Sequence, residues 1–208
     1  MSRLSRALLV AAAASCVMAP ATTAATSSAT ASSTNRLGSM LGELWTTVLQ
    51  TPTPDNPFTG GSTCVHLPDG QLAPFGPQGA QSCTVPRGTK IFVAARSQEC
   101  STFVGDDCDG TTESQLLANA VAIDAQYTTH TVAVDGENVA VTEVLTPLLK
   151  VILPRDNVFG LTGRPHGVSA AHGWVVLLNA LPRGTHTIVI HLAAGGVDST
   201  TSTTVVVV

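Results

Sequence analysis

Two stretches of this chain gather side chains able to do chemistry. GDDCDG, residues 105–110, brings Asp106, Asp107 and Asp109 together just ahead of a predicted helix. Three carboxylates closed by a glycine suit a hard, oxygen-seeking cation, and Asp-x-Asp-Gly opens many calcium loops. The bidentate Glu that an EF-hand places twelfth is missing: counted from Asp107 that position is Ala118, and Glu113 is the substitute at hand. The spacing therefore predicts a solvated acidic turn whose charges favour the helix N-terminus that follows. Calcium on the three aspartates is the metal reading, and no other cofactor is expected.

RPHGVSAAHGW, residues 164–174, offers His166, Ser169, His172 and Trp174. A nucleophile elbow needs G-x-S-x-G between a strand and a helix. Here Ala171 replaces the second glycine and the segment precedes a strand, so serine hydrolysis is disfavoured. Histidines six apart in a Gly-rich loop are not a metal-ligand signature. They read as exposed loop histidines, with His166, His172 and Trp174 as a candidate surface site. His186 and His191, five apart on a strand, point to opposite faces and cannot share a site. A hydrolase would have to be assembled from His166, His172, Glu99 and Asp156, and no spacing brings these four together. No catalytic residue is assigned.

Cysteines do another kind of chemistry. Cys16 falls in an N-terminal leader, which leaves Cys64, Cys83, Cys100 and Cys108, an even set. In an exported chain the default is two disulfides, and four cysteines allow three pairings. Cys64 with Cys83 and Cys100 with Cys108 is favoured because each pair closes a short loop containing Gly, Pro or Asp. Zinc is disfavoured, since there is no C-x-x-C and no nearby His pair.

The elements that position these residues begin after residues 1–25. There, Arg3 and Arg6 precede an apolar run from Ala7 to Met18 and small residues at Ala24 and Ala25, the grammar of a secretory signal peptide. AASC at residues 13–16 is a poor lipobox, and a lipid anchor through Cys16 is the alternative. No later run approaches the ~20 apolar residues of a membrane span. Residues 26–40, rich in Ala, Ser and Thr, read as a disordered spacer. Residues 41–208 then form a single domain.

Within it, Leu41, Leu44, Trp45 and Leu49 recur at helical spacing, predicting a short N-terminal helix. TKIFVAA, residues 89–95, reads as a strand buried on both faces. Thr112 and Gln115 make a capping box ahead of a helix carrying Leu116, Leu117, Ala120 and Ile123. Alternation on both sides of Asp135-Gly136 predicts a tight hairpin. LLKVILP, GWVVLLNALP, THTIVIHLA and STTVVVV follow as strands between Gly/Pro/Asn/Asp turns. Strands in series without intervening helices indicate a mainly β fold, an antiparallel sandwich of Ig-like or jelly-roll-like type with one inserted helix. The uncharged valines at the C-terminus would be an aggregation hazard if free, so they are expected to pair beside THTIVIHL.

The order CTVPRGTKIFVAARSQECS, GTTESQLLANA, VAVDGENV, LPRDNVFG and LPRGTHTIVIHL resembles a family of uncharacterised secreted proteins common in actinobacteria. The likeness runs from about Trp45 to the C-terminus and implies export and a β-rich domain with a helix insertion. The piece LPRGTHTIVIHL also resembles the last hairpin of bacterial immunoglobulin-like sandwiches. Neither likeness carries an activity.

Composition narrows the partners. Without Arg3 and Arg6 the formal charge moves from -4 to -6, and Lys90 and Lys150 are the lysines that remain. With no basic cluster, counterion release from a polyanion has little to act through, so nucleic acid is excluded as a partner. What remains is a secreted or cell-surface, non-catalytic binding or structural module for an extracellular or cell-envelope ligand.

Overall fold

The computed structural model describes residues 24–76, 82–103, 108 and 110–208. It is mainly β, with two sheets packed face to face. The first sheet holds β1 (Cys64–His66), β2 (Leu72–Pro74), β4 (Ile91–Ser101), β9 (His166–Leu178) and β7 (Thr142–Leu145), in that order, and β8 (Leu149–Ile152) also pairs with β9. The second runs β3 (Ser82–Val85), β11 (Val197–Val207), β10 (Gly184–Ala194), β5 (Tyr127–Val134) and β6 (Glu137–Val139). Among the described residues two α-helices, α1 (Ala24–Gln50) and α2 (Glu113–Asp124), accompany the sheets.

The central strands read as nearly continuous apolar runs because both their faces are covered. Phe92 of β4, with Val144, Ala171 and Val175, packs against Leu41, Leu44 and Val48 of α1. Ile91 and Val93 point the other way, into a core made with Val132, Ile188, Val205 and Val207 of the second sheet. Higher on that inner side, Cys100 and Ala170 meet Leu116 and Ala120 of α2. The inner side of the first sheet is thus shared between the second sheet and α2.

Several local expectations hold. Thr112 and Gln115 close the capping box at the start of α2, each satisfying the other's backbone N–H. Asp135 (φ 51°) and Gly136 (φ 89°) make the left-handed turn between β5 and β6 that this residue pair favours. The C-terminal valines pair antiparallel with β10, and Val205 and Val207 are buried. Cys64 is bonded to Cys83 and Cys100 to Cys108. The first bridge joins β1 of one sheet to β3 of the other.

Three expectations are corrected. The sandwich is not wholly antiparallel: β2 runs parallel to β4, and β3 runs parallel to β11. Between β2 and β4 of the first sheet the chain places β3 in the second sheet, where its partner is the C-terminal strand rather than a sequence neighbour. The N-terminal helix is not short. It begins at Ala24 and takes in the stretch expected as a spacer. Leu37 and Met40 already pack against the core, and a Cβ on Gly38 would lie 2.3 Å from the carbonyl oxygen of Leu145. Glycine there lets the helix rest directly on β7. Finally, the segment read as a Gly-rich loop around His166 and His172 is the strand β9. Its glycines serve close packing rather than turning: a Cβ on Gly173 would stand 2.6 Å from the carbonyl oxygen of Arg96.

Candidate functional site

On the inner face of β9 the residues change character in order. Ala170 lies under α2, Val176 and Leu178 lie against the second sheet, and His172 and Trp174 fall between the two layers. A register shift between Ala94 and Arg96 sets Arg96 opposite Trp174 and Gln98 opposite His172. The bulge thereby turns a polar run of β4 toward the same place. From the other strand neighbour, Glu143 of β7 pairs with Trp174. Asp124, the last residue of α2, is delivered by helical spacing, two turns beyond the buried Leu116 and one beyond Ala120.

These side chains form one connected network. The Nε of Arg96 donates to Oδ1 of Asp124 at 2.7 Å, and Oδ2 of Asp124 stands 2.9 Å from Nδ1 of His172. The Nε2 of His172 lies 2.9 Å from Oε1 of Glu143. Asp124 has no exposed side-chain surface and His172 only 2%, whereas Glu143 keeps 62% of its side chain in water. Arg96 also donates to Oε1 of Gln98, and its guanidinium lies 4.2 Å from the centre of the Tyr127 ring. His130 of β5 stacks on Trp174 with ring centres 3.6 Å apart, and His172 meets the same indole edge-on at 4.6 Å.

The charge state follows from the partners. Carboxylates only accept, and a neutral imidazole can donate from one nitrogen alone. Burial pushes His172 down, but the hydrogen bonds and charges of Asp124 and Glu143 outweigh it and raise its pKa above 6.5. His172 is therefore an imidazolium held between two carboxylates. His130 goes the other way: burial, with the nearby His172 and Arg96 charges, lowers its pKa against the pull of Asp124 and Glu143. Its Nε2 is buried with no hydrogen-bond partner among the described residues.

The residues singled out from sequence separate here. His172 and Trp174 belong to this network. His166 does not: it begins β9, opposite Ile152, and is exposed. Asp156 is an exposed loop residue whose carbonyl accepts from the Thr53 amide. Glu99 lies opposite Ala171, on the face turned to α1, where the buried Ser169 donates to it. Burial raises the Glu99 carboxyl above its ordinary range, and the Ser169 hydrogen bond only partly offsets this. The four residues of the hydrolase reading thus do not converge. His172 is also not an exposed loop histidine, because α2 and the second sheet cover its strand. His186 and His191 bond separately to Asp135 and Asp198. Asp106, Asp107 and Asp109 lie outside the described residues, as does Cys16. Among the described residues no group of three or more His, Cys, Asp or Glu is placed to hold a metal.

Sequence reasoning missed Arg96, Asp124, His130 and Glu143. One signal was available for Asp124: a charged residue on the helix face that carries Leu116 and Ala120 must find a buried partner.

Fold and site together define a disulfide-linked β-sandwich with a buried His–carboxylate network opening onto a ring-lined patch. No protein-family model and no curated protein matches the chain. Among solved structures, the solution structure of Amebosin is similar at a TM-score of 0.22 and 14% identity, over 64% of this chain and 100% of that one. The crystal structure of the cysteine protease inhibitor EhICP2 from Entamoeba histolytica is similar at a TM-score of 0.25 and 14% identity, over 62% and 87%. Among the described residues no helix is long and apolar enough to cross a membrane.

Proposed function

We propose that this protein is a secreted, non-catalytic binding module that engages an extracellular or cell-envelope ligand through the patch around His172, Trp174 and Glu143. The observation that carries this reading is the engagement of both His172 nitrogens by carboxylates. A histidine so held has no lone pair with which to take a proton from a nucleophile or from water. Among the described residues no serine, threonine or cysteine hydrogen-bonds to it. What the cluster presents to solvent is recognition chemistry instead: the half-buried rings of Trp174, His130 and Tyr127 beside the exposed Glu143. Rings of that kind bring apolar area at low entropy cost. Export is supported by the leader at residues 1–25, by two disulfides of the kind that persist in oxidising compartments, and by the resemblance to secreted actinobacterial proteins.

Co-sedimentation with insoluble cell-wall polymers, run beside a panel of chromogenic ester and glycoside substrates, tests the reading. The expected result is retention on one polymer without turnover, weakened about tenfold or more by Trp174→Ala, or roughly 1.4 kcal/mol. Turnover of any substrate that His172→Ala abolishes would make the protein a hydrolase and overturn it.

A further inference from the structure

Asp124 and Glu143 flank the same imidazolium, yet they are held very differently. Asp124 is fully buried and bound from its other oxygen by Arg96. Glu143 sits on the edge strand β7 with most of its side chain in water, and its one hydrogen bond among the described residues is to His172 Nε2. The geometry points to an assignment: His172 Nε2 is the seat for a carboxylate of the ligand, which Glu143 fills from within the chain until the ligand displaces it. This deepens the binding-module reading and rests on it.

The physical case has three parts. First, the donor is preset. Asp124 fixes the ring through Nδ1, Arg96 fixes Asp124, and Nε2–H is left facing Glu143, whose side chain is 62% exposed, so binding requires no reorganisation of the donor. Second, the exchange is nearly even. One carboxylate replaces another on the same charged donor, and the departing Glu143 is already solvated. An internal competitor acts at an effective concentration in the millimolar range, so a bare carboxylate binds weakly to the wild-type chain. A ligand that adds contacts to the neighbouring rings wins the exchange. Third, a further polar atom waits beside the seat. Among the described residues the buried Nε2 of His130 has no hydrogen-bond partner, and its ring stacks on the same Trp174 that His172 abuts. An unpaired buried nitrogen is costly, and a polar group of the bound ligand would relieve it.

Asp124 from α2 and Glu143 from β7 act on His172 directly, with Arg96 of β4 bound to Asp124 and His130 of β5 close enough for its charge to be felt. Binding should therefore hold while the imidazolium persists and fade as pH rises through its titration.

The test uses the full chain and NMR of the histidine Cε1–Hε1 groups at about pH 6, within the range where histidine charge is set. The probes are sodium acetate, glucuronate and N-acetylalanine, with sodium chloride at equal ionic strength. In Glu143→Ala the carboxylates should shift His172 saturably, at concentrations about tenfold below those needed by the wild type. His186, which is also held between two acceptors, should not move. A tighter response to glucuronate assigns the carboxylate to an acidic saccharide, and a tighter response to N-acetylalanine assigns it to a peptide end. No saturable shift, or the same shift with chloride, overturns the proposal. Should Glu143→Ala fail to fold, the wild type still decides: the Glu143 side-chain resonance must move to its free position as acetate saturates His172, and a static Glu143 overturns the seat. The two readings fail separately. Retention on a polymer with no carboxylate shift leaves the module without the seat, and the reverse outcome leaves the seat without the module.

Discussion

Oδ2 of Asp124, at the last residue of α2, stands 2.9 Å from Nδ1 of His172 in the middle of β9, and neither side chain is more than 2% exposed. This contact ties the end of a helix to the central strand of the sheet beneath it. It also determines how the remaining charges are arranged, because Arg96 and Glu143 complete a chain of alternating sign.

Asp124→Asn should destabilise the protein by about 3 kcal/mol or more, since it leaves the Arg96 and His172 cations facing a neutral amide in a buried site. Glu143→Gln, at the exposed end of the same chain, should cost under about 1 kcal/mol. Urea unfolding of the two variants checks the contrast. Equal losses would mean that the network is not ionised as described.

Stability should depend on pH through His172 and His186, whose folded pKa values are both raised above 6.5. His172 is raised by its two carboxylates against burial; His186 is raised by its hydrogen bond to Asp135 and then by the Pro182 carbonyl. Below 6.5 both histidines are protonated in the folded and unfolded chains alike, and their full contribution is present. As pH rises through the folded values that contribution is lost. Asp135, lowered from 3.8 chiefly by His186, adds stability above that value which disappears as pH falls through its folded pKa. Calorimetry should find the highest Tm in the mildly acidic range, falling as pH rises through the folded pKa values of the two histidines, with His172→Gln flattening part of the slope. A Tm that climbs across that range contradicts the assignment.

Removing the Cys64–Cys83 bridge, which spans 19 residues, should cost about 3 kcal/mol, and removing Cys100–Cys108, which spans 8, somewhat less. Paired Cys→Ala variants compared by chemical denaturation measure both. The first should also loosen amide protection across β3, because that strand meets the rest of its sheet only through β11.

Gly173→Ala should cost about 1–3 kcal/mol, because the new methyl would collide with the backbone carbonyl of Arg96 at the bulge. Its His172 signal should shift as well, since Arg96 orients Asp124. A variant as stable as wild type with an unmoved His172 would show that the bulge does not position the site.

Deleting residues 205–208 removes the buried Val205 and Val207, worth about 1.5–3 kcal/mol each. The deletion also strips β3 of its parallel partner. The truncated chain should not fold cooperatively, and a soluble product with wild-type Tm would sink this expectation.

Several features were legible because their cause is local. Thr112 and Gln115 cap a helix through atoms three residues apart, Asp135-Gly136 turns a hairpin through its own backbone preference, and the C-terminal valines had to be covered somewhere. The cysteine pairs were readable because each closes a short loop. The site was not legible in this way. His172 lies 48 residues from Asp124 and 29 from Glu143, and Arg96 lies 28 from Asp124. No spacing rule relates positions on a helix and three different strands. The glycines around His172 misled for a related reason: a small residue serves a turn and a crowded central strand equally well, and the neighbours that crowd it come from elsewhere in the chain. The helical course of residues 24–40 and the parallel pairing of β3 with β11 were decided likewise, by surfaces that come into contact only after the two sheets close on each other and Leu37 and Met40 find a core to cover.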